Sequence, residues 1–147
     1  MAEDKLLDFY LAESTKYELG ADKETLFDLG GGITNIAPTF EEETEDITYY
    51  ATGKETYVTG LNYQIDVEGH RLYSDEAQNF VRKKLIQVED RGGWLRITEP
   101  DGNVLEGPAT VLNIVPFGGE AGQRQTFNFS AKFKGTPTDT PKTTPEG

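Results

Sequence analysis

Apolar and polar residues alternate with a period of two along two stretches of the chain. Leu61, Tyr63, Ile65 and Val67 are interleaved with Asn62, Gln64, Asp66 and Glu68. Phe127, Phe129, Ala131 and Phe133 are interleaved in the same way with Asn128, Ser130, Lys132 and Lys134. That period places every second side chain on one face, so both segments predict strands with one buried face. Trp94 to Glu99 and Val104 to Val115 predict a further pair. Between them lies Glu99-Pro100-Asp101-Gly102, in which Pro presets φ and Gly takes the left-handed position. Gly118 to Gly122 turns the chain back into the Phe-rich strand, so these three runs read as an antiparallel meander. Leu6 to Ala12 and Ile33 to Phe40 are weaker strand candidates. Pro38 has no N–H to give to a ladder, which puts the second at an edge or a bulge. Between Ala21 and Gly32 a short turn of helix is expected around Thr25 to Leu29.

The period changes once. From Ser74 to Val88, Ala77, Phe80, Val81, Leu85 and Val88 recur at helical spacing and make one apolar stripe, with Phe80, Val81 and Leu85 as its core anchors. Ser74 or Asp75 can cap the start; with Asp75 as cap, Gln78 falls at the reciprocal position of a capping box. Asp75 and Glu76 in the first turn and Arg82, Lys83 and Lys84 towards the end suit the helix dipole, and Gly92-Gly93 sets the limit. The fold class expected is therefore mainly β: an antiparallel sandwich or barrel with one flanking amphipathic helix at about 74–88.

Composition narrows the function. A chain of 147 residues is about one domain. Its 14 Lys+Arg against 26 Asp+Glu leave a net charge of −12, which disfavours a general nucleic-acid or anionic-membrane surface, because phosphate affinity comes from cations that displace counterions. Without Cys there is no disulfide framework, zinc ribbon or thiol nucleophile. No run of about 18 apolar residues is present, and the acidic Met1-Ala2-Glu3-Asp4-Lys5 start does not read as a signal peptide, so the chain is expected to be made in the cytoplasm. The Thr- and Pro-rich stretch 136–147 cannot build a core and is expected to be a flexible C-terminal tail on a 1–135 domain.

Candidate chemistry is sparse. His70 is the sole His, which leaves no spare for a His-containing metal cluster or a triad; its position suits a half-buried residue at a strand end before the helix. Gly30-Gly31-Gly32 is followed by Ile33-Thr34-Asn35 instead of the Gly-Lys-Ser/Thr of a phosphate loop, and so reads as a turn into the next strand. Glu41-Glu42-Glu43-Thr44-Glu45-Asp46 lacks the alternating ligands and bend Gly of a calcium loop. Good strand formers, Ile47 to Tyr50 and Lys54 to Thr59, follow it around Gly53. The segment is therefore read as a long exposed β-excursion, an arm at about 41–59. A two-stranded arm is marginal in water by itself, and Tyr49, Tyr50 and Tyr57 on it are favoured interface residues. No catalytic, cofactor-binding or metal-ligating set emerges.

The order of these features resembles the major tail (tail tube) proteins of long non-contractile-tailed, siphophage-type bacteriophages. The residues that carry the resemblance are Gly32 to Phe40 running into Glu41 to Glu45, then Tyr49-Tyr50, Val58-Thr59-Gly60, and Gly69-His70-Arg71-Leu72-Tyr73-Ser74-Asp75-Glu76-Ala77-Gln78-Asn79-Phe80. The resemblance spans about Leu6 to Gly135. It implies a structural virion protein and no enzyme, self-assembling as hexameric rings that stack into a tube. It also implies a continuous inner β-barrel and a hairpin arm reaching the adjacent ring, formed here by Glu41, Glu42, Glu43, Glu45, Asp46, Tyr49, Tyr50 and Tyr57. The partners implied are further copies of the chain and other tail proteins (tape measure, tail terminator, distal tail protein), with double-stranded DNA passing through the lumen unbound and no membrane. Each ring would carry six times −12, or −72, formal charges, and an acidic lumen would repel the duplex and let it slide.

Two other readings stand beside this one. A baseplate or carbohydrate-binding β-sandwich would use the exposed tyrosines as sugar platforms, and a head–tail connector or tail terminator would form a single ring that does not stack.

Overall fold

The structure, a computed structural model, describes residues 5–6 and 9–141. In chain order the strands are β1 (Lys5–Leu6), β2 (Phe9–Tyr10), β3 (Lys16–Asp22), β4 (Thr25–Asp28), β5 (Ile33–Tyr49), β6 (Gly53–His70), β7 (Gly92–Thr98), β8 (Val104–Val115), β9 (Thr126–Phe133) and β10 (Thr138–Thr140), with helix α1 (Glu76–Arg82) between β6 and β7. β1 and β2 pair with each other. The others form one eight-stranded antiparallel sheet in the order β4-β3-β7-β8-β9-β6-β5, with β10 on the start of β8. The predicted class holds: mainly β, antiparallel, with one short helix.

The two alternating stretches are neighbours in this sheet. Ile65 and Val67 of β6 lie opposite Ala131 and Phe129 of β9, and all four are buried. Leu95, Val111 and Phe127 complete the centre of the core, and Leu19 joins it from β3. The meander forms as the pattern predicts. The Gly102 N–H donates to the Glu99 carbonyl at 2.9 Å, and Gly102 itself sits at φ 105°, a conformation that glycine adopts without strain. Pro38 lies in β5, which is an edge strand of the sheet.

Four expectations need correction. Thr25 to Leu29 is strand β4, not a helical turn. Asp22 Oδ1 accepts the N–H groups of both Glu24 and Thr25 at 2.9 Å, and this side-chain turn folds the chain straight back onto β3. The helix spans Glu76–Arg82 instead of 74–88. Beyond Lys83 the bonds Lys84 N–H to Val81 O and Leu85 N–H to Arg82 O are of the tighter i→i+3 kind. Leu85 remains packed on the core, whereas Val88 stands in solvent at 90% exposure. The capping box is half formed: the Gln78 N–H donates to Asp75 Oδ2 at 3.0 Å, but the Gln78 side chain turns inward to other partners. The Thr/Pro-rich stretch also begins in ordered structure. Pro137 is buried, and Thr138–Thr140 pair with Val104–Glu106.

α1 lies over β3 and β4, with Ala77, Gln78 and Val81 buried beneath it. Phe80 packs against the core with its ring 6.1 Å from that of Phe27.

Candidate assembly surface

β6 has a second neighbour only from Gln64 onward, where it meets β9. From Gly53 to Tyr63 it pairs with β5 alone, so the hairpin runs on past the sheet as a two-stranded ribbon. Ten residues of strand beyond Thr39, at ~3.3 Å each, make it about 33 Å long. Gly53 closes the tip at φ 79°. The predicted excursion is therefore a continuous β-hairpin, and the acidic run lies in strand. Alternating carboxylates point to opposite faces, which keeps neighbours in the run apart.

Register settles the two faces. Glu43 pairs with Gly60 but Thr44 pairs with Val58, so Thr59 is an extra residue in β6, a β-bulge. The face that continues the core therefore carries the pairs Phe40/Tyr63, Glu42/Leu61, Thr44/Val58 and Asp46/Thr56. Without the bulge, Val58 would fall on the opposite face from Leu61. Phe40 and Val58 are each more than half exposed, and the Phe40 ring contacts that of Tyr63 at 4.7 Å. An apolar strip thus leads out of the core along the root of the arm. The other face carries Glu41, Glu43 and Glu45 in a row, then Glu55, Tyr57 and Tyr49.

Polar contacts hold the arm in register. Asp46 accepts from Thr56 Oγ1 at 2.7 Å and pairs with Lys54 at 3.4 Å; Glu43 accepts from Asn62 Nδ2 at 3.2 Å. The Tyr57 hydroxyl donates to Glu55 at 2.7 Å. Hydrogen bonds from Thr52 and Tyr57 hold the Glu55 carboxyl below its ordinary value. The bond to Glu55, with a smaller contribution from Tyr49, pushes the Tyr57 phenol up. Tyr50 at the tip is fully exposed. Of the residues singled out on the arm, Glu41, Glu42, Glu43, Glu45, Asp46, Tyr49, Tyr50 and Tyr57 are all exposed, and they lie on one ribbon. Among the described residues no three acidic or histidine side chains are grouped to hold a metal ion.

At the root, Gln78 ties the hairpin to α1. Its Nε2 donates to the carbonyls of Gly31 and His70, both at 2.9 Å, and its Oε1 accepts from the Leu72 N–H at 2.7 Å. The half-buried His70 is the last residue of β6, as its position suggested.

The sheet's other end is different. Between α1 and the β3–β4 edge lies an open cleft of about 530 Å³, lined in part by Phe27, Phe80 and Lys83. Arm and cleft sit at opposite ends of the strand order.

No protein-family model matches this sequence, and no curated protein does either. Solved structures do match. A chain from the tail of an empty gene transfer agent particle, determined by helical refinement with C6 symmetry, aligns with a TM-score of 0.70 at 15% identity. A chain from the virion of the native gene transfer agent particle aligns with a TM-score of 0.70 at 14% identity. Each alignment covers 90% of this chain and 100% of the other. The fold is that of these particle chains. The likeness extends over whole chains, so it describes the complete sheet-and-helix arrangement and not a shared fragment. Among the described residues no helix is long and apolar enough to cross a membrane.

Sequence reasoning missed the apolar side of the arm. Phe40, Val58 and Leu61 do not share a simple alternation, since the bulge at Thr59 breaks it. The signal available was Thr59-Gly60, a small-residue interruption in an otherwise alternating run.

Proposed function

We propose that this protein is a structural subunit of a phage-like tail tube. Six copies form a ring, rings stack into a hollow virion tail, and double-stranded DNA leaves through the lumen without specific binding. The observation that carries this reading is the arm. A two-stranded ribbon about 33 Å long, with an apolar strip on one face, is marginal in isolation and needs a second surface. The arm residues 41–59 supply the contact between subunits and between rings. The outer edge of β5 offers unpaired backbone groups along an exposed strand, and in an assembly such an edge becomes the joint.

Two further facts support it. Arm and cleft are different patches, built on strands at opposite ends of the strand order, and contacts between unlike patches generate rings or open filaments instead of closed dimers. A chain of the same fold belongs to a tail determined with sixfold symmetry. The tape measure, tail terminator and distal tail proteins are the heterologous partners of such a tube, and the subunit performs no catalysis.

Negative-stain electron microscopy of the purified protein over a concentration series, with light scattering for mass, tests the proposal. Stacked rings or hollow tubes wide enough for a duplex are expected. Monomers that persist at every concentration, in dilute buffer and under crowding alike, overturn it.

A further inference from the structure

We infer that the cleft between α1 and the β3–β4 edge is the socket for the tyrosine tip of the arm of a second copy. The inference rests on the self-assembly reading above and names the surface that the arm meets.

The tip ends in Tyr50, fully exposed and, among the described residues, without a ring contact or hydrogen bond inside its own chain. A tyrosine supplies a large, stiff, amphipathic contact area at low entropic cost, which makes it a common anchor of interfaces. The cleft is of matching character. Phe27 and Phe80 form an aromatic floor, tilted 48° to each other, and Thr25 and Lys83 stand on its rim. Its volume of about 530 Å³ is several times that of a phenol ring.

Charge agrees with shape. Behind the tip lie Glu45 and Glu55, while Asp46 is already paired with Lys54 at 3.4 Å. At the cleft, Lys83 closes the C-terminal end of α1, exposed and with no ion pair among the described residues. Lys84 is already used: its Nζ lies 4.8 Å from the Phe80 ring and 3.3 Å from Asp90, an acid that also lines the cleft, and Glu76 adds a second carboxylate at the far end of the helix. Tip and cleft are different surfaces of the chain, so each copy can give its tip to one neighbour and receive a tip from another.

The chain has no cysteine, which makes the test direct. Ala51→Cys chains, altered beside the tip tyrosine, and Thr25→Cys chains, altered on the cleft rim, keep Tyr50 and Lys83; they are mixed in equal amounts over a concentration series and treated with a short bismaleimide. Both positions are exposed, and far-UV circular dichroism verifies that each variant folds. A covalent heterodimer that neither variant yields alone is expected. Tyr50→Ala should raise the concentration needed for association about tenfold, the usual scale for losing an interface anchor, while Tyr50→Phe should retain most of it. Tubes without the cross-link overturn the socket and leave the tube standing. The cross-link in small soluble oligomers, without tubes, keeps the socket and overturns the tube. Absence of the cross-link at every concentration overturns the socket.

Discussion

Gln78 on α1 donates from Nε2 to the carbonyl of Gly31, 47 positions earlier in the chain, at 2.9 Å. The same amide donates to His70 O, and its oxygen accepts from the Leu72 N–H and from Arg71 Nη1 at 3.1 Å. Gln78 is fully buried. One side chain therefore satisfies the backbone at the entry to β5, the exit of β6 and the approach to the helix, and sets the angle at which the arm leaves the body. Replacing Gln78 with Leu keeps the volume but leaves two carbonyls and an amide without partners. At ~1–3 kcal/mol for each buried polar group left unsatisfied, the loss should be about 3 kcal/mol. Urea unfolding checks this, and a loss below about 1 kcal/mol would mean that water reaches the site and replaces the amide.

Phe80 holds α1 down through its contact with Phe27. Phe80→Ala should cost about 3 kcal/mol, at the lower end of the aromatic-to-alanine range because the ring is only partly buried. The same substitution at Phe127, which is completely buried, should cost more. A loss at Phe80 below about 1 kcal/mol would mean that the helix is not held by this stripe.

Gly69 lies where β5 and β6 converge. A Cβ there would stand 2.3 Å from Gly32 O and 2.6 Å from Ile33 Cα, both backbone atoms. Neither can rotate away, so Gly69→Ala should destabilise by about 3 kcal/mol, the upper range for overpacking. Full stability of this variant would contradict the close strand approach.

Glu106 accepts from Trp94 Nε1 at 3.0 Å and from Arg96 Nε at 2.9 Å. Partial burial raises its pKa, but the bonds from Trp94 and Arg96 and the charges of Arg96 and Lys23 outweigh that, and the net shift is downward from 4.5. A carboxylate with a depressed folded value contributes stability above its unfolded pKa and loses that contribution as pH falls through the folded one. The fluorescence of Trp94, the sole tryptophan, should therefore change below pH 4.5, and Glu106→Gln should remove that step. A transition unchanged in the Gln variant would assign it to another acid.

Replacing Glu43 to Gly60 with Asn-Gly joins Glu42 to its register partner Leu61 through a turn suited to a two-residue hairpin. The body should keep its thermal midpoint to within a few degrees, because none of the removed residues belongs to the core. Association should be abolished. Tubes formed by the shortened chain would remove the arm from assembly.

The elements that were legible in the sequence are those in which local pattern and tertiary packing agree. The alternation at Leu61 to Val67 and Phe127 to Phe133, and the Pro-Asp-Gly turn at 100–102, each act over a few residues, so the pattern alone carries strand type and one buried face. The helix was legible in kind but not in length. Beyond Arg82 its stripe has no sheet beneath Val88, and a short helix without a covered face does not propagate. Strand β4 was misread because its state depends on pairing with β3, which no window of five residues contains.

What the chain determined by itself is its β character, its acidity and the presence of a long polar excursion, since periodicity and charge are properties of the residues. The tertiary structure decided that the acidic run is strand, that a bulge at Thr59 brings Val58 and Leu61 onto one face with Phe40, and that arm and cleft belong to opposite ends of the strand order. The physical reason is the same in each case: these features depend on register and strand order, and both are set by contacts between residues far apart in the chain.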